Sequence, residues 1–177
     1  MSYRRTIVTL PGGTDYHPPV ASSAPASLLP PTPLRGGAEL AVFQGAGTCL
    51  DNVLMIWTEV EFIPLYEDQP LFAEVDQFLR SQGFLLHSFT GIATRRYKAF
   101  AQACPQRRPR RGQAIWTDAI YVRDFRHLEA LSSLKLKKLA VLLDQVAGAD
   151  DLCFEVLQLL DAREGTTLAP GYLGRIQ

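Results

Sequence analysis

From Gly37 onward the apolar positions of this chain fall into two rhythms, one of helices and one of strands; before it they fall into neither. AELAVFQGA suits a short helix, with Leu40 and Phe43 on one face and glycine at its end. Val53 to Phe62, VLMIWTEVEF, is rich in β-branched and aromatic residues, and its first half is apolar without alternation. That pattern predicts a central strand covered on both faces. Pro64 ends it, and Pro70 sits where the first turn of a helix accepts proline. Leu71, Phe72, Val75, Phe78 and Leu79 then form one apolar stripe, which Gly83 closes before a second strand begins at FLLHSF. A strand–helix–strand unit of this length predicts a right-handed parallel crossover.

Thr90 to Gly112 is polar and basic, carries Pro105 and Pro109, and reads as a loop. Ala114 to Val122 reads as a strand, paired antiparallel with the one before the loop. Ser132 or Ser133 is placed to cap a helix over Leu134–Ala147 that stops at Gly148. Asp150 is placed to cap another over Leu152–Leu160, giving an antiparallel helical hairpin.

Residues 1–35 differ in kind. They hold seven of the twelve prolines, with alanine and serine between them. Each proline removes a backbone donor and turns its predecessor away from helix, so the segment reads as extended or disordered and packed on nothing. YRRTIVTL could form a short edge strand at most. The chain thus divides into 1–35, an α/β region 36–125 and a helical tail 126–177.

Composition narrows the class. Lysine plus arginine equals aspartate plus glutamate, 18 each, so net charge alone argues neither for nor against nucleic acid; one arginine cluster with little aromatic interleaving is not the usual footprint, and no nucleic-acid partner is expected. No apolar run approaches the roughly 18–20 residues that cross a bilayer, and no membrane partner is expected. Cys49, Cys104 and Cys153 are odd in number and widely spaced, which favours a reducing, cytoplasmic setting over a disulfide framework or zinc site. His17, His87 and His127 are scattered, and no metal site is proposed.

WTEVEFIPLYEDQPLFAEVDQFLRSQGF, Trp57 to Phe84, together with GGAELAVFQGA, Gly36 to Ala46, resembles the C-terminal half of FkbM-family methyltransferases. GTTLAPGYL near the C-terminus is similar to the end of their helical tail. The resemblance implies a partial class I (Rossmann-like) methyltransferase sheet ending in an antiparallel hairpin. It also implies transfer of a methyl group from S-adenosylmethionine to a hydroxyl of a small-molecule or glycan acceptor, a sugar or secondary metabolite. The agreement begins sharply at Gly37. Where the family carries a pattern close to Asp-x-Gln-Gly-Ala-Glu, this chain reads Leu34, Arg35, Gly36, Gly37, Ala38, Glu39, and the glycine-rich cofactor turn is not found upstream. A truncated or divergent N-terminal portion is therefore expected. The alternative reading is a non-catalytic fragment or interaction module that keeps the acceptor half and self-associates through an exposed sheet edge.

Within that frame Glu39 falls on the cofactor side by resemblance, or is simply a first-turn carboxylate favoured by the helix dipole. Glu59 and Glu61 share a strand face at the C-terminal end, where open α/β sheets bind ligands. They are the candidate catalytic pair, set against a solvated strand end or pairing with Arg95, Arg96 or Lys98. Tyr66, just beyond, is a candidate for the acceptor pocket, and Arg95 and Arg96 in the basic loop for capture of an anionic acceptor. Trp116 and Tyr121 read as sheet-face residues, and Asp118 as a mid-strand carboxylate answering a loop arginine.

Overall fold

A computed structural model of the chain describes residues 7–8 and 38–177. The rest of the proline-rich segment lies outside the described residues. Helix α1 (Glu39–Ala46) leads through a tight turn, Gly47–Asn52, into β2 (Met55–Glu61), after the short β1 (Ile7–Val8). Then come α2 (Phe72–Ser81), β3 (Phe84–Arg95), α3 (Lys98–Ala103) and β4 (Gln113–Arg123). Three helices follow: α4 (Ser133–Leu142), α5 (Asp150–Glu164) and α6 (Leu168–Ile176).

The sheet order is β1-β2-β4-β3, and every neighbouring pair is antiparallel. The expected crossover is therefore corrected. β2 and β3 do run in the same direction across α2, but β4 lies between them and takes the hydrogen bonds of both. The β3–β4 hairpin is as expected. β1 pairs with β2 at Ile7↔Trp57 and Val8↔Ile56, so YRRTIVTL contributes a two-residue edge strand and does not pack on nothing.

Period-two alternation sends each strand's residues to two cores. Ile56 and Val60 of β2 join Phe84, Ala119 and Tyr121 against Phe43 of α1 and Val75 and Leu79 of α2. Met55, Ile120 and Val122 pack on the other face against Leu136, Leu139, Val156, Leu160 and Tyr172 of the tail. This double cover explains the unbroken apolar run that opens β2.

Local rules hold with shifts. Pro70 precedes the first turn of α2, and the Glu74 carboxylate accepts from the Leu71 backbone N–H at 3.0 Å to close the helix start. Gly83 ends the approach to β3 at φ 79°, where a Cβ would also meet an Arg123 nitrogen at 3.2 Å. Ser132 caps α4 through Lys135 N, and Gly148 takes the left-handed conformation at the end of the following wide turn. Asp150 does not cap α5. It opens the helix, and its carboxylate accepts the Tyr172 hydroxyl at 2.9 Å. The tail is also three helices rather than two. Asp161 starts α6 by accepting from Leu168 N and Ala169 N at 2.7 and 2.8 Å and from the Thr166 hydroxyl. Asp161→Ala is expected to fray α6, seen as lost amide-exchange protection over residues 168–176 while the sheet stays protected. Unchanged protection would mean that packing alone holds the helix.

Candidate functional site

At the C-terminal end of β2 the period of two puts Glu59 and Glu61 on the face shared with Met55 and Trp57. The tail helices cover the start of that face. Glu61 is nevertheless only 4 % exposed, so it is not a solvated strand end. Its neighbour across the ladder is Trp116, and Glu59 stands opposite Asp118. α1 brings Glu39 to the same end. Burial first, then repulsion from Glu39, then from Glu59, pushes the Glu61 carboxyl from the ordinary 4.5 up to about 7; a backbone N–H and the Gln69 amide act in the opposite sense.

Gln69 belongs to the loop between β2 and α2. Its Oε1 accepts from the backbone N–H groups of Leu65 and Tyr66 at 2.8 and 3.2 Å, which folds the loop over the strand end. Its Nε2 is buried beside the Glu61 carboxyl, near enough to lower its pKa, but makes no hydrogen bond of full geometry among the described residues. A buried donor without a well-formed bond beside a carboxyl pushed up toward neutrality is a costly combination for a purely structural element. Gln69 was not among the residues singled out from sequence, because one glutamine in a loop carries no spacing signal.

The other expected residues divide. Tyr66 is half exposed and held by its backbone. Arg96 gives one guanidinium nitrogen to the Pro105 and Arg107 carbonyls at 3.0 and 3.1 Å, closing the hairpin loop. Arg95 is exposed opposite Gln113, three residues beyond Glu61's neighbour Trp116 along β4. The carboxylates and the arginines therefore share one end of the sheet without forming one cluster. Trp116 and Asp118 fall on the Glu59 face, and Tyr121 on the other, where its hydroxyl donates to Asp76 at 3.4 Å.

Residues 37–86 match the methyltransferase FkbM domain. The FkbM segment runs from the residue before the described part through α1, β2 and α2 into β3, so it contains Glu39, Glu59, Glu61, Tyr66 and Gln69 and leaves out Arg95 and Arg96. Neither a curated protein nor a solved structure matches the chain.

The FkbM match carries an expectation of S-adenosylmethionine as methyl donor. Backbone N–H groups of a glycine-rich turn between a strand and a helix would be the usual cradle for such a ligand. None of the turns leading from β2, β3 or β4 to the next helix contains glycine. Glu39, placed on the cofactor side by resemblance, stands close enough to Glu61 to raise its pKa. The described residues do not fit a cofactor cradle, and no chemistry is assigned to them through that group.

Proposed function

We propose that this chain supplies the acceptor side of a methyltransferase acting on a hydroxyl group of a sugar or secondary metabolite, with Glu61 as the proton acceptor. The observation that carries the reading is the buried Glu61 carboxyl, pushed up to about 7, beside a buried Gln69 amide that forms no hydrogen bond of full geometry. A hydroxyl is both donor and acceptor. It can give its hydrogen to Glu61 and receive one from Gln69 Nε2, which would fix the direction of its remaining lone pair. When the oxygen is alkylated its proton must leave, and a carboxylate of this basicity is matched to taking it at neutral pH. Glu39 and Glu59 act through Glu61, by repulsion that keeps its basicity high. An antiparallel strand wedged between two parallel ones also suits the C-terminal edge of a class I methyltransferase sheet. A cytoplasmic setting accords with three free cysteines.

A second reading, an acceptor-side module that does not itself bind the donor, is favoured by the poor fit of the described residues to the cofactor. Two measurements separate them. Isothermal titration with S-adenosylmethionine is expected to give weak binding or none with this chain alone; a saturable one-to-one isotherm would count against the second reading. Methyl transfer from labelled S-adenosylmethionine to hydroxylated acceptors should then rise as pH passes through about 7. It should fall on the order of 100-fold in Glu61→Gln, the scale of lost general-base assistance, and less in Glu59→Gln. Transfer that survives Glu61→Gln would give the proton to another group.

A further inference from the structure

The basic loop has a geometry that the acceptor site does not use. β2 ends opposite Trp116, whereas β4 begins at Gln113 and β3 runs to Arg95, so the β3–β4 arm projects beyond its neighbour. From Phe84 to Thr117 the sequence holds no carboxylate. Arg95, Lys98, Arg107, Arg108, Arg110 and Arg111 are all exposed on this arm, and among the described residues none of them is in an ion pair. Between them stand Tyr97, 72 % exposed, just before α3, and Phe100, 38 % exposed, on its first turn.

The tip is also preorganised. Arg96 ties the Pro105 and Arg107 carbonyls, the Tyr97 hydroxyl bonds the Gln113 amide oxygen at 3.2 Å, and Gly112 sits where a Cβ would meet Thr94 at 2.9 Å. Little ordering entropy would remain to be lost on binding.

We infer that the β3–β4 arm docks this protein onto an anionic phospholipid surface. Clustered Lys and Arg side chains are drawn to the negative potential of such a surface, and exposed aromatic rings settle at headgroup depth. A projecting hairpin tip presents them together to a plane. Its two exposed rings, Tyr97 and Phe100, fall short of the row on which single-strand binders stack successive bases. No helix is long and apolar enough to cross a membrane, and surface docking needs none. The inference is independent of the methyltransferase reading.

Co-sedimentation of the full chain with vesicles tests it. Vesicles containing about one-third phosphatidylserine should retain the chain and pure phosphatidylcholine vesicles should not, with binding weakening as salt is raised. Charge removal in R107Q/R108Q should lower the partition coefficient about 10-fold or more, and both side chains are exposed, so the fold should be kept by circular dichroism. Tyr97→Trp should show a blue-shifted emission only with the anionic vesicles. Equal partition to both vesicle types, no partition to either, or an unshifted Tyr97→Trp emission would overturn the inference. So would preferential capture by a single-stranded oligonucleotide over the vesicles.

Discussion

Glu61→Gln is expected to make the protein more stable at pH 8 and to leave its stability at pH 4 almost unchanged. The fold pushes the Glu61 carboxyl from 4.5 to about 7, so the folded state holds that proton more tightly than the unfolded chain does. Below the unfolded value both states are protonated and the group contributes nothing to the difference. As pH rises from about 4.5 to about 7 the unfolded chain ionises first, and the native state loses stability progressively. Above about 7 both are ionised and the penalty is constant. At 1.36 kcal/mol for each pKa unit it comes to about 3 kcal/mol. Glutamine keeps the shape and removes the titration. Urea denaturation at the two pH values should therefore show a gain of roughly 2–3 kcal/mol at pH 8 and none at pH 4. Glu39→Gln should give a smaller gain of the same sign, because only one repulsive neighbour is removed. A gain equal at both pH values would mean that Glu61 is destabilising through packing and not through its charge. Such a cost at neutral pH is one that the proposed proton-accepting role of Glu61 would require the fold to bear.

What the sequence could disclose followed the range of the interactions concerned. β2 and α2 were legible because their signals are local: a β-branched apolar run ended by Pro64, and a stripe at helical spacing in α2. α3 was not, since Lys98–Ala103 is under two turns long and lies among arginines and prolines that read as loop. β3 was read too short. Past Phe89 its alternation is broken by register shifts around Gly91, which has φ 146°, and its side chains turn to solvent. The insertion of β4 between β2 and β3 is a tertiary choice that no local pattern encodes. At the site, the shared face of Glu59 and Glu61 followed from the strand period alone. That Glu61 is buried, that Glu39 reaches it from α1, and that Gln69 leaves a donor beside it all depend on contacts between elements. The basic loop was legible as charge, but only the structure separates Arg96, which braces the loop, from its exposed neighbours.

Arg123 should be the most destabilising single polar position to lose. At the end of β4 its Nε donates to the Val53 carbonyl at 2.7 Å, one Nη to the Gln82 carbonyl at 2.7 Å, and the other Nη to the Leu50 carbonyl. Its guanidinium lies 4.1 Å from the centre of the Phe84 ring. Leu50 and Gln82 lie near the ends of helical turns and Val53 leads into β2; the Leu50 carbonyl also accepts the Val53 N–H at 3.0 Å, so Arg123 adds a second donor there. One planar fork thus joins the turn after α1, the entry to the central strand and the end of α2. Arg123→Met fills similar volume but leaves the Val53 and Gln82 carbonyls without this donor and the Leu50 carbonyl with the Val53 N–H alone. At 1–3 kcal/mol for each buried unsatisfied group, with part recovered by water, the expected loss is about 3–5 kcal/mol, a large share of the 5–15 kcal/mol that usually holds a domain together. Arg123→Lys separates charge from geometry. An ammonium keeps the charge but cannot span three divergent carbonyls, so it should recover less than half of the loss. Urea denaturation of the two variants decides the point. If lysine is as stable as arginine, the position needs only a cation, and the three-way bridge is not what binds α1, β2 and α2 together.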